Sequence, residues 1–230
     1  MSDLFLLSLE GSPSHVNAQL SDTLTVILSS PPSKSDSTLS PAWVQVLGNT
    51  MLAYAAIDAD ACANEIRKVW KAVWAFLESK DSSTRKAASQ SLATICRCFT
   101  PTLINTASGD ERSTLGSIVT QTNNALRSLA FAQSMPQLLS IISSLIIGLQ
   151  YRAGSKASPT AAEYLLLPVI EYVGELRVQK GFDYKEDADA TLATAMRVLG
   201  PEVLLGILPL NLEPSDRYES NLMMKSNCLR

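Results

Sequence analysis

Aromatic residues make up only 6% of this 230-residue chain, and charged residues 18%. So few rings, set against abundant leucine, alanine and serine, argue against a β-sandwich, whose strands draw on aromatic and β-branched side chains. Histidine is nearly missing. His15 is the only one, and it falls in the irregular N-terminal part, which leaves a Ser/His/Asp or Cys/His arrangement without its base. The four cysteines, Cys62, Cys96, Cys98 and Cys228, form no CxxC pair. On a helix, Cys96 and Cys98 would point about 200° apart, a poor start for a zinc site. Reduced thiols of a cytosolic or nuclear protein are the expectation. Glycine-rich phosphate loops of either common kind are also lacking. No catalytic residue, metal site or cofactor is therefore expected.

Charge of one sign is not in excess. Nineteen Lys and Arg against 22 Asp and Glu give a formal net charge of −3, which removes the simplest argument for an autonomous nucleic-acid binder. DNA binding is not expected, and any RNA contact must come from a local patch. The start, "MSDLFLLSLEG", has Asp3 where a signal peptide wants lysines, and its apolar run is short for an h-region. The most apolar window, "LLSIISSLIIGL" from Leu138 to Leu149, is roughly half the length needed to span a bilayer and reads as a buried helix. No membrane association is expected. Cys228 in the final "NCLR" stands one place too late for a prenylation box.

What is present is helical period. "HVNAQLSDTLTVIL" reads as one helix, followed by the Ser/Pro-rich linker "SSPPSKSDSTLS" (29–40), a loop or disordered excursion. Ser40-Pro41 then has the form of a helix start, a capping serine before a first-turn proline. Asp60 is the expected cap of "ACANEIRKVWKAVWAFLES". There Ile66, Val69, Trp70, Val73 and Leu77 form a 3.6-period stripe, widened by Trp74 and Phe76. A helix apolar over so much of its surface is contacted from two sides, as in a stacked array. Asp81 caps the next helix, in which Arg85, Ala87, Ala88, Leu92 and Ile95 follow. The carboxylate stands at the positive helix end, and the two alanines admit a close neighbour. This order matches one helix of HEAT repeats.

Four more helices follow: "STLGSIVTQTNNALRSLAF", "MPQLLSIISSLIIGLQYR" after Ser134, "PTAAEYLLLPVIEYVGELRVQ" after a Ser158-Pro159 cap, and "EDADATLATAMRVL" before Gly200. Pro168 should kink its helix. Starts near 41, 61, 82, 113, 135, 160 and 185 make hairpin units of about 40 to 50 residues, the period of HEAT and armadillo arrays. Gly200 is expected to end one helix in the left-handed conformation. Pro201 then begins a short one, which Pro209 stops. The fold expected is all-α, a HEAT/armadillo-like α-α superhelix of antiparallel helix hairpins. Its parts are an N-terminal helix and linker (1–40), helical repeats (41–213) and a polar C-terminal tail (214–230).

The corner "LGPEVLLGILPLNL", the preceding "GFDYKEDADATLATAMRV" and "SPAWVQVLGNTMLAYA" upstream resemble the ribosomal RNA processing protein 12 family, HEAT-repeat factors of small-subunit ribosome assembly. The resemblance covers Ser40 to Glu213. It implies a nuclear and nucleolar protein that shuttles to the cytoplasm with export, and that helps pre-rRNA processing and the maturation and export of small subunits. The partners it implies are pre-ribosomal particle proteins, pre-rRNA and nuclear transport factors. Family members are far longer and continue into further repeats, whereas "PSDRYESNLMMKSNCLR" follows here. The expectation is thus a fragment or truncated product.

Candidate contact residues are basic. Arg67 and Lys71 lie one turn apart with Lys68 beside them, and Lys80, Arg85 and Lys86 flank the junction to the next helix. Together they could form one cationic edge for RNA phosphates or an acidic protein tail. Glu65, Glu78 and Asp81 are interspersed, so a solvated face with local ion pairs is the competing reading. Glu163, Glu171, Glu175, Asp187 and Asp189 read as solvated helix surface rather than acid and base. The function expected is a non-catalytic scaffold in ribosome biogenesis. The alternative is a karyopherin-like adaptor that binds protein cargo in nuclear transport.

Overall fold

The structure, a computed structural model, describes residues 13–107, 112–152 and 158–208. Ten α-helices follow one another in the described residues: α1 (Pro13–Ser29), α2 (Leu39–Ile57), α3 (Ala59–Trp74), α4 (Ser82–Cys96), α5 (Pro101–Thr106), α6 (Thr114–Leu126), α7 (Met135–Gly148), α8 (Ala161–Val178), α9 (Lys185–Leu199) and α10 (Pro201–Ile207). Two 3-10 segments, Ala75–Glu78 and Leu129–Ser134, extend α3 and precede α7. No strand occurs among the described residues, where the extended pairing is a single bridge between Arg152 and Thr160. The fold is all-α and HEAT-like, as the period predicts.

The helix starts agree with the sequence to within about two residues, but several caps differ. Asp36, not Ser40, opens α2. Its carboxylate accepts from the amides of Thr38 and Leu39 at 2.9 and 2.8 Å, and Ser40 turns inward to donate to the Ser33 carbonyl. Asp58 rather than Asp60 caps α3, accepting from Ala61 N at 2.9 Å; Asp60 falls in the first turn. Asp81 caps α4 as expected, through Thr84 N. Thr160 replaces Ser158 at the head of α8 because Glu163 completes a reciprocal capping box with it. Ser134 makes no cap bond; its hydroxyl donates to the Leu77 carbonyl instead. The helix expected to run on to Phe131 stops at Leu126, and Ser128 starts a separate 3-10 turn. Thr100-Pro101 opens the short α5, which the sequence pattern alone does not predict. Pro168 lies inside an unbroken α8, and the bond it forfeits, to Tyr164, is on the exposed side.

Gly200 joins α9 to α10 with φ +94° and ψ 160°. That is a glycine conformation, though extended rather than left-handed helical. Its amide bonds Met196 O, and its carbonyl accepts from Leu204 N. Pro209 lies outside the described residues.

The helices form two layers. In one, α2, α4, α7 and α9 lie side by side in sequence order through broad contacts, while α1, α3, α6 and α8 form the second layer with narrower contacts between neighbours. Small and hydroxyl residues let the first layer close up. A Cβ on Gly48 would lie 3.1 Å from Ser91, and one on Gly148 only 2.7 Å from the Cys96 carbonyl. Buried hydroxyls then bond backbone across each seam. Ser91 donates to Val44 O at 2.7 Å, Ser89 to Gln137 O at 3.3 Å, and Thr191 to Leu139 O at 3.1 Å. The 29–40 linker is an ordered loop, held by Ser79 Oγ donating to Lys34 O at 2.8 Å. Leu20 and Leu24 bring α1 into the common core, and Trp43 Nε1 donates to Ile27 O.

By length and composition alone, Leu129–Gly148 would suffice to cross a membrane. Yet Leu138, Leu139, Ile141, Ile142, Leu145 and Ile146 are fully buried, with α7 lying between α4 and α9. It is the core helix of the stack.

Candidate functional site

The apolar stripe of α3 decides where its cations go. Ile66, Val69, Trp70 and Val73 are buried, so Arg67, Lys68 and Lys71 face out. Lys80 in the turn and Lys86 on α4 are exposed as well. Lys68 is paired, its Nζ 3.0 Å from Glu65 Oε2, whereas Arg67, Lys71, Lys80 and Lys86 form no ion pair among the described residues. Arg85 is different. It is half-buried, and its Nη1 donates to the carbonyls of Ser79 and Lys80, each at 2.9 Å. It fixes the turn that presents Lys80. Asp81 holds the other side of this turn; hydrogen bonds from the Thr84 hydroxyl and amide keep its carboxyl below the usual range. Glu78 is tied to Lys34 across the linker at 2.8 Å.

Beside this edge a shallow groove of about 710 Å³ opens between α3 and α6, lined by Trp74, Glu78, Arg112, Gln121, Asn124 and Phe131 among others. It exists because these outer-layer helices touch only narrowly. Trp74 and Phe131 meet at 5.9 Å with planes tilted 55°, and Trp70 stacks behind Trp74 at 5.9 Å. Ser117, Thr120, Gln121 and Asn124 recur at three and four residues on one face of α6. Their side chains make no hydrogen bond among the described residues. Arg67, Lys71 and Trp74 stand at i, i+4 and i+7, so the cationic face of α3 leads into this groove. The arrangement can hold a ligand by charge, amide hydrogen bonds and ring faces.

Two of the candidate carboxylates have structural partners. Glu163 serves the capping box and lies 3.9 Å from Arg152, and Asp189 receives Arg177 Nε at 2.6 Å. No group of three His, Cys, Asp or Glu able to hold a metal occurs among the described residues. Sequence spacing gave no hint of the groove, of Arg127 lying 3.7 Å over the Tyr172 ring, or of the meeting of Cys62 with Cys98. Both of those thiols are buried. Their interaction as neighbouring free thiols raises Cys62 and lowers Cys98, while burial pushes Cys96 up.

The description "Ribosomal RNA-processing protein 12, HEAT repeats" matches residues 78–223. The match takes in Lys80, Arg85, Lys86 and the α6 side of the groove, and begins after Arg67, Lys68 and Lys71. The Schizosaccharomyces pombe protein named "Putative ribosomal RNA-processing protein 12" is 29% identical over 195 residues, 85% of this chain and 16% of that relative.

Proposed function

The chain belongs to the ribosomal RNA-processing protein 12 HEAT-repeat family, and from that membership we propose that it is a non-catalytic scaffold in ribosome biogenesis. It holds pre-ribosomal particle proteins and pre-rRNA along the flanks of its helical stack during small-subunit maturation and nuclear export, in the nucleolus and nucleus. The family match over 78–223 is the observation that carries this reading. The chain spans 16% of the relative's length, so the scaffold role is a proposal for the stretch that the two proteins share.

The exposed cations supply the chemistry. Arg67, Lys68, Lys71, Lys80 and Lys86 face phosphates, and Arg85 positions the turn. Reversing Lys68 and Lys71 to Glu is expected to weaken binding to pre-rRNA fragments. It should also reduce the slope of log affinity against log salt by about 0.7 to 0.9 for each phosphate left without its cation. An unchanged slope, measured by titration at several salt concentrations, rejects the RNA edge. Crosslinking in nuclear extract and sequencing the attached RNA tests the wider reading; absence of pre-rRNA reads rejects it.

A further inference from the structure

We propose that the groove between α3 and α6 seats an unpaired base of single-stranded RNA whose backbone runs out along Lys71 and Arg67; this rests on the RNA reading of the cationic edge and adds to it a place for the base. Two kinds of surface meet here. On α3, Arg67 and Lys71 are exposed and form no ion pair among the described residues. They stand about 10.5 and 4.5 Å along the helix from Trp74, on the side that leads into the groove. Within the groove the chemistry changes. Phe131 is half-buried, so part of its ring is open to the groove it lines, 5.9 Å from Trp74. Gln121 and Asn124, one turn apart on α6, line the wall with amides that make no hydrogen bond among the described residues.

An amide presents a donor and an acceptor side by side, the pattern that pairs with the edge of a base. An open ring offers a stacking face, and unpaired bases are held by stacking on aromatic side chains. Duplex RNA keeps its base faces inside the stack, so only an unpaired base can meet Phe131. Glu78 also lines the groove and is tied to Lys34 at 2.8 Å. A carboxylate there repels a phosphate but accepts from the exocyclic amine of a base. The order of charge thus matches a nucleotide, with anionic phosphates on α3 and a neutral base beside Glu78. An acidic peptide fits less well, because each acidic side chain entering the groove brings a second carboxylate towards Glu78. The volume of about 710 Å³ lies within the range of about 300 to 1,000 Å³ in which small ligands are held, enough for a base with its ribose.

The test compares two strands of equal length on the full chain, a single-stranded RNA and a base-free strand of ribose and phosphate alone. The RNA is expected to bind tighter by about five- to 150-fold, the effect of one stacked base. Both strands should show the same salt slope, because their phosphates are equal in number. Phe131→Leu keeps the apolar packing and removes the flat ring; it should bring the ratio of the two affinities close to one at unchanged slope, whereas Phe131→Tyr should preserve it. In the unaltered chain, an RNA carrying 5-iodouridine should crosslink on irradiation at Trp74 or within 129–134, as mapped by mass spectrometry. Equal affinity of the two strands at an ordinary slope overturns the base site and leaves the cationic edge standing. Failure of both strands to bind overturns the edge and the base site together. Crosslinks confined to residues away from the groove overturn the base site, and so does an oligoglutamate that binds more tightly than either strand and is lost in Phe131→Leu, the mark of an acidic protein segment.

Discussion

Trp70 is 1% exposed, and its Nε1 has no hydrogen-bond partner among the described residues. Its contribution is thus ring packing with an unanswered donor attached. Trp70→Ala is expected to cost about 3 to 5 kcal/mol. Trp70→Phe should cost less than about 1.5 kcal/mol, because removing a donor whose burial opposes folding offsets part of the missing volume. Urea denaturation followed by circular dichroism checks both. Asp36 and Asp81 act at helix starts, where amide bonds, and for Asp81 the Thr84 hydroxyl first, hold each carboxyl below its ordinary value of 3.8. The stability they contribute is present above the unfolded value and disappears as pH falls through the lower folded one. Asparagine caps as well but does not titrate. Asp36→Asn/Asp81→Asn should therefore flatten the stability curve below about pH 4, measured by urea melts at stepped pH. Asp81 was legible from the sequence as a cap because, beside Ser82, Ser83 and Thr84, it is the acceptor that also brings negative charge to the positive helix end. At Ser40 and Asp60 a second acceptor lay two to four residues away, and the fold of the loop chose between them.

At the scale of the element, the 3.6-period stripe of α3 identified its buried face correctly, and Ala87 and Ala88 correctly announced a close neighbour. Which neighbour was not legible, since the seams join α4 to α2 and α7 through Gly48, Ser89 and Ser91, residues whose size and hydroxyls have no period of their own. Gly148 shows how tight a seam is. Alanine there raises helix propensity, worth about 0.5 to 1 kcal/mol, but its Cβ would meet the Cys96 carbonyl at 2.7 Å, and backbone cannot swing aside. Gly148→Ala is expected to lose about 1 to 3 kcal/mol net, read from the urea midpoint at unchanged slope. Half of the candidate site was visible in the same local way, because Arg67, Lys68 and Lys71 are placed by the stripe beside them. The groove was not, since Trp74 and Asn124 come together only when α3 and α6 are stacked.

For the whole molecule, the broad contacts of each hairpin among the described residues are with those before and after it, so damage stays local. Ser91→Ala, in the α2–α4 seam, and Thr191→Val, in the α7–α9 seam, should add within about 0.5 kcal/mol. Ser91→Ala with Gly48→Ala should not add, because those two residues press on each other. A double-mutant cycle by chemical denaturation separates the cases. Period and capping signals revealed the architecture because every hairpin repeats them. The 40 residues before the array were harder to read, for α1 joins the core through Leu20 and Leu24 from the far side of a Ser/Pro-rich loop.

The unequal spacing of the two layers has a mechanical outcome. Where Gly48, Ser91 and Thr191 draw one row of helices together and the gap between α3 and α6 parts the other, the stack must bow, with the tight row inside the bend. A body lodged in that gap then works as a wedge, altering the arc of the entire rod and with it the distance between anything gripped at its two ends.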